Sequence, residues 1–235
     1  MKFLQRGLYA LILTIFFQTQ LVAEYLYKDE IVDRPAFSEQ VELLGSELYQ
    51  KTGISLRLLM LRELPHDTSI VDYEKEILSK FTEPTIIMVF SEMNSEIDIR
   101  ANDDSLYKYF DKKQVLSPMA SAVQAFIMAI AYGRDWETFN ELRTTYGGTI
   151  LPLLAGKTKK EQIVGKYAGS MFNGYIDVAH QISVSKNVVL ENDPGDTNQK
   201  TLFFVKLFFY GFVIYAIVLY IRRKLYIRRQ NREKK

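Results

Sequence analysis

Thr85-Ile-Ile-Met-Val-Phe-Ser91, Glu92-Met-Asn-Ser95 and Glu96-Ile-Asp-Ile-Arg100 form the stretch on which the fold turns. Seven residues without a charge and rich in β-branched side chains read as a strand buried on both faces, and Pro84 just before them marks its start. The polar tetrad reads as a turn. The strict alternation from Glu96 to Arg100 then reads as a half-exposed strand paired back in a hairpin. Working outward, Ile54-Ser-Leu-Arg-Leu-Leu-Met-Leu61 is a second buried strand. Pro35 sits where a helix favours its first residue, and Phe37, Val41, Leu44 and Leu48 recur at three- and four-residue spacing until Gly53. Ser69 is placed to cap a further helix running to Phe81. The order α, β, α, β, β predicts an α/β fold with a small central sheet flanked by helices.

Beyond the hairpin, a short helical piece is expected over 105–110. Pro118 then opens Met119 to Tyr132, fourteen residues without a charge. That segment is too short to cross a bilayer and reads as a core helix lying across the sheet. Residues 134–160 carry no clear periodicity. Lys160 to about Ser185 reads as a long helix, and Asn192-Asp-Pro-Gly-Asp-Thr-Asn-Gln-Lys200 as a polar linker.

Both ends read as membrane segments. Lys2 and Arg6 precede the largely apolar Leu8–Phe17, and Ala23 supplies a small residue for cleavage, so 1–23 is a signal peptide, cleaved or retained. Residues 202–221 are apolar except for Lys206, and at ~1.5 Å per residue they match one hydrocarbon thickness as a transmembrane helix. The tail 222–235 holds eight cations against Glu233 alone. By the positive-inside rule that tail is cytoplasmic, and the body of the chain is periplasmic or otherwise extracytoplasmic, on a single-pass protein of the inner membrane. The tail also suits contact with anionic lipid.

Charge and composition exclude several functions. Residues 24–200 carry 19 Lys and Arg against 27 Asp and Glu, an acidic body that argues against nucleic-acid binding. The absence of cysteine removes disulfides, thiolate nucleophiles and Cys-containing zinc sites, and two histidines leave little transition-metal chemistry. Gly156-Lys157-Thr158 fails as a phosphate-binding loop because Leu151 stands where the pattern needs glycine. No Gly-x-Ser-x-Gly elbow or His-Glu-x-x-His helix occurs. Gly165, Ala168 and Gly169 put small residues on one face of the late helix, where another helix could approach closely or the domain could pack on itself. Lys206 in the apolar segment either snorkels or meets an acid on a partner.

Ile31-Val-Asp33 ahead of an amphipathic helix, Gly53-Ile-Ser-Leu at the passage from helix to strand, the 86–100 hairpin, the Asp111–Pro118 stretch and the helix ending Tyr132-Gly133 follow one another in an order that resembles the TPM-domain family (TLP18.3, Psb32 and MOLO-1-like proteins). The resemblance spans about 29–145. It implies a TPM-like extracytoplasmic sandwich domain there, a helical extension and linker over 146–200, and the membrane helix and tail beyond. Some members of that family are described as acid phosphatases, others as auxiliary or maintenance subunits of membrane complexes. By position, Asp33 corresponds to the family's early acidic residue, and Asp103 and Asp104 to its acidic loop. Together these acids could offer oxygen ligands to a hard cation such as Ca²⁺, while Asp104-Ser105 equally suits the start of a helix. The loop reads Ala101-Asn-Asp-Asp-Ser105 where family members usually carry glycine.

The function expected from all this is a non-catalytic binding, assembly or stabilising subunit for an integral membrane protein complex. A divergent metal-dependent acid phosphatase of the same fold is the alternative.

Overall fold

The computed structural model describes residues 24–193 and 207–224. Residues through Asn192 belong to one compact unit. Its chain order is β1 (Leu26–Asp29), α1 (Pro35–Thr52), β2 (Ser55–Leu61), α2 (Ile70–Leu78), β3 (Thr85–Ser91), β4 (Glu96–Ala101), a 3-10 turn (Asp104–Tyr109), α3 (Lys112–Val115), α4 (Ala122–Tyr132), α5 (Trp136–Thr144), α6 (Leu151–Ala155) and α7 (Ile163–Ser185). The four strands lie side by side in the order of the sequence. β1, β2 and β3 run parallel, and β4 returns antiparallel to β3, with Ser91 opposite Glu96.

The alternation of side chains sorts each central strand between two cores. Leu56, Leu58, Met60, Ile86, Met88 and Phe90 face one side, against Val41, Leu44 and Leu48 of α1 and Met171, Tyr175, Val178 and Ile182 of α7. Leu59, Leu61, Ile87 and Val89 face the other, against Tyr73, Ile77 and Leu78 of α2. The unit is therefore an α/β/α sandwich in which β2 and β3 are buried throughout, as their largely apolar runs require, with Arg57 of β2 the one charged residue in them. The signals read from sequence act as expected at both helix ends. Gly53 closes α1 at φ +71°, its amide donating to the Tyr49 carbonyl, and the Ser69 hydroxyl accepts the Asp72 amide.

Three features depart from expectation. β1 has no counterpart in the sequence reading. It is a four-residue edge strand in which Lys28 and Asp29 blunt any apolar pattern. Second, α7 is part of the main core, so the boundary expected at residue 145 cuts through one compact unit. Close approach fixes α7 in place. The Tyr175 hydroxyl donates to the Leu56 carbonyl at 2.8 Å, and a Cβ on Gly174 would lie 2.2 Å from Ile150. Third, α4 does not cross the sheet. It packs chiefly on α5, and only Ala125 and Ala129 of its residues are buried.

Residues 207–224 are helical with exposed side chains, and this stretch includes Arg222, Arg223 and Lys224. Among the described residues no helix is long and apolar enough to cross a membrane. The expected span 202–221 runs into residues 202–206, which lie outside the described residues, as does the expected signal peptide over 1–23.

Candidate functional site

The acids expected to share a cation are not brought together. Asp33 follows β1, where the Asp29 carboxylate accepts the amides of Ile31, Val32 and Asp33, and it takes the left-handed conformation at φ +43°. Asp and Asn tolerate that conformation better than most residues, which gives Asp33 a role in the turn itself. Asp103 and Asp104 follow β4, whose end lies beside Thr85 at the start of β3. β1 and β4 are the two edges of the sheet and these loops leave it at opposite ends. With ~4.8 Å between strands and ~3.3 Å per residue along them, Asp29 and Ala101 are roughly 20 Å apart. Asp103 is a cap: its carboxylate accepts the Ser105 amide at 2.7 Å, and that bond holds its pKa below the usual value. Among the described residues no group of three or more His, Asp or Glu side chains could hold a metal ion.

The expected small-residue face on α7 is divided: Ala168 packs against the main core, while Gly165 and Gly169 are exposed. A Cβ at Gly165 or Gly169 would meet nothing within 4 Å, so neither glycine is packed on its own domain. Lys206 lies outside the described residues.

Other clusters of charged groups are structural. Arg57, buried in the middle of β2, donates to the Glu24 carbonyl and to Glu83 and lies 4.1 Å over the Phe81 ring. Glu74 of α2 is fully buried, and its Oε2 accepts Arg100 Nε at 2.7 Å. Burial, with Asp98 nearby, pushes its carboxyl up to about 8 against the opposing pull of Arg100. Asp98 also holds Lys112 and Arg100. The open groove beside α7 gathers Lys108, Lys112, Lys113 and Tyr109, but Lys112 is paired with Asp98 and Lys113 with Glu141. Hydrogen bonds from Lys186 and Lys108 lower the Tyr109 pKa.

What stands out is the α4–α5 hairpin. Its base is pinned. The Met119 carbonyl accepts the amides of both Gly147 and Gly148, and the Ser117 hydroxyl donates to the Thr145 carbonyl. Gly148 is required there, since a Cβ would lie 1.7 Å from the Ser117 carbonyl oxygen. Ser121 and Asp135 cap the two helices through the amides of Gln124 and Thr138. On α4 the inward face is made of Ala125 and Ala129, and the outward face of Val123, Phe126, Ile127 and Ile130 at i, i+3, i+4 and i+7. Ile130 is 65% exposed and Val123 70%. At the tip Tyr132 and Trp136 are also exposed, with Trp136 stacked on Phe139 at 5.6 Å and 14°. This is an apolar helix that packs on its neighbour through small side chains and leaves four large ones exposed. Sequence reasoning found the uncharged run but assigned it to the core. The signal that distinguishes the two is the small inner pair Ala125 and Ala129, beside which Met128 is half-buried while Val123, Phe126, Ile127 and Ile130 lie on the other side.

The arrangement has the chemistry of a contact surface. Fully covering each outward aliphatic or aromatic side chain would contribute about 1.5–3 kcal/mol. Contiguous apolar surface of this kind marks an interaction site on a folded protein. Compared with models of known protein families and with curated proteins, the chain matches none.

Proposed function

We propose that the chain is a non-catalytic binding, assembly or stabilising subunit of a membrane protein complex. Residues 202–221 hold it in the cytoplasmic membrane and the sandwich domain stands outside. The carrying observation is the outward apolar stripe of α4, held rigidly by capped helices and a hydrogen-bonded base. A hairpin whose only small face is turned inward is built to meet a second apolar surface. Tethering supports that reading from the sequence, because the apolar segment and the cationic tail agree on one topology. The four-stranded sandwich is compatible with the fold implied by the TPM resemblance, a likeness that speaks to fold and not to activity.

The test is purification of the intact chain from its native membrane in mild detergent, comparing wild type with an Ile127→Asp, Ile130→Asp variant. Both positions are exposed, so the variant keeps its circular dichroism spectrum. Wild type recovers defined membrane proteins that the variant loses. Equal recovery by both, or none by either, rejects the proposal.

A further inference from the structure

The occupant of the hairpin's outward stripe can be narrowed, starting from the reading that the chain is tethered to a membrane. A protein partner is usually met through apolar anchors ringed by hydrogen-bonding groups. From Ala122 to Ala131 the one side chain with a donor or acceptor is Gln124, and its Oε1 is occupied by the Ala120 amide. Val123, Phe126, Ile127 and Ile130 thus form an apolar strip without a hydrogen-bonding group, with Phe126 resting edge-on against Phe139 of α5. A non-directional apolar medium meets all its requirements.

The residues bordering the strip match a bilayer interface. Tyr132 and Trp136, each apolar in body with one polar atom, stand exposed at the tip with Arg134 between them. Such aromatics settle at headgroup level, with the apolar face of an interfacial helix about 5–10 Å into the headgroup and acyl boundary. The charges point to neutral lipid. α5 carries Glu137, Glu141 and Arg143, so the hairpin has no basic face, and the body is acidic. Proximity points the same way: residues 202–221 begin ten residues after residue 192, so the bilayer proposed to hold them is the apolar medium at highest local concentration.

We infer that the α4–α5 hairpin is an interfacial membrane anchor that inserts its Val123, Phe126, Ile127 and Ile130 stripe among zwitterionic lipids. The inference rests on the proposed tether and on the subunit reading: lipid occupies the stripe, and its insertion fixes the orientation in which the domain meets its membrane partner, so that a variant unable to insert also loses that partner.

Trp136 is the chain's single tryptophan and reports on the site without a label. The full chain is reconstituted alone into phosphatidylcholine vesicles, with or without lipids bearing a spin label near the headgroup. The expected result is blue-shifted Trp136 emission, most of it lost to the labelled lipid, little lost to iodide, and no change between low and high salt. An Ile127→Ser, Ile130→Ser variant remains with the vesicles on flotation, keeps its helical signal, and loses the lipid quenching. Emission that iodide quenches and labelled lipid does not overturns the inference. Should Trp136 become shielded only when native membrane extract is added, a protein occupies the stripe. The inference then falls while the subunit reading survives. If the wild-type chain fails to float with the vesicles, the tether and the inference fall together.

Discussion

Two glutamates show how burial alone does not decide ionisation. Glu47 of α1 is almost covered, which opposes its charge, yet its carboxylate accepts Lys51 Nζ, the amides of Glu191 and Asn192, and the Asn192 side chain. These bonds outweigh burial and hold its pKa down to about 2. Its stabilising contribution is complete above the ordinary value of 4.5 and is lost as pH falls toward 2. Glu47→Gln should cost on the order of 2 kcal/mol at neutral pH by urea unfolding. It should also remove part of the acid sensitivity seen in wild type. Glu74 has the opposite sign. Buried with Arg100 Nε on one oxygen and no hydrogen bond on Oε1 among the described residues, it keeps its proton up to about 8. The folded state then binds a proton that the unfolded chain has released, so stability falls as pH rises from 4.5 to about 8. Glu74→Gln should flatten the decline in melting temperature across that window. A variant that declines as steeply as wild type would show that Glu74 is not the group responsible.

At the scale of elements, the parts legible in the sequence were those whose burial pattern is regular along the chain. β2 and β3 are covered on both faces, β4 on one, and α1 carries an unbroken apolar stripe between Pro35 and Gly53. β1 was not legible because an edge strand of four residues is defined by pairing with β2, a partner about 30 positions away, and not by its own composition. The hairpin was misread for a related reason. Periodicity reveals an apolar face and is silent about which side of the helix meets the domain. The site fared worse than the fold: the three acids were legible as acids, while their separation follows from strand order, which no local pattern carries. Glycines offer a test at the same scale. Gly174→Ala must displace Ile150 and should destabilise by about 1–3 kcal/mol. Gly165→Ala and Gly169→Ala, open to solvent on the same helix, should each stabilise by about 0.4–1 kcal/mol in chemical unfolding.

For the whole molecule, the proposed function assigns a role to the acidic sandwich domain, the exposed apolar hairpin and the apolar segment 202–221 with its cationic tail. Replacing residues 202–221 by a plain leucine span should leave the chain in the membrane, since hydrophobic length suffices for insertion, while weakening recovery of partner proteins if the native aromatics pack against them. Membrane extraction followed by recovery of those proteins checks both halves. The central claim is that the domain works outside the cytoplasmic membrane while the cationic end stays within, and reporter fusions address it most directly. An enzyme active only outside the cytoplasm should work when fused after Gln199, and one active only inside should work when fused after Lys235. Activity of the internal reporter at Gln199, or of the external one at Lys235, would contradict the account.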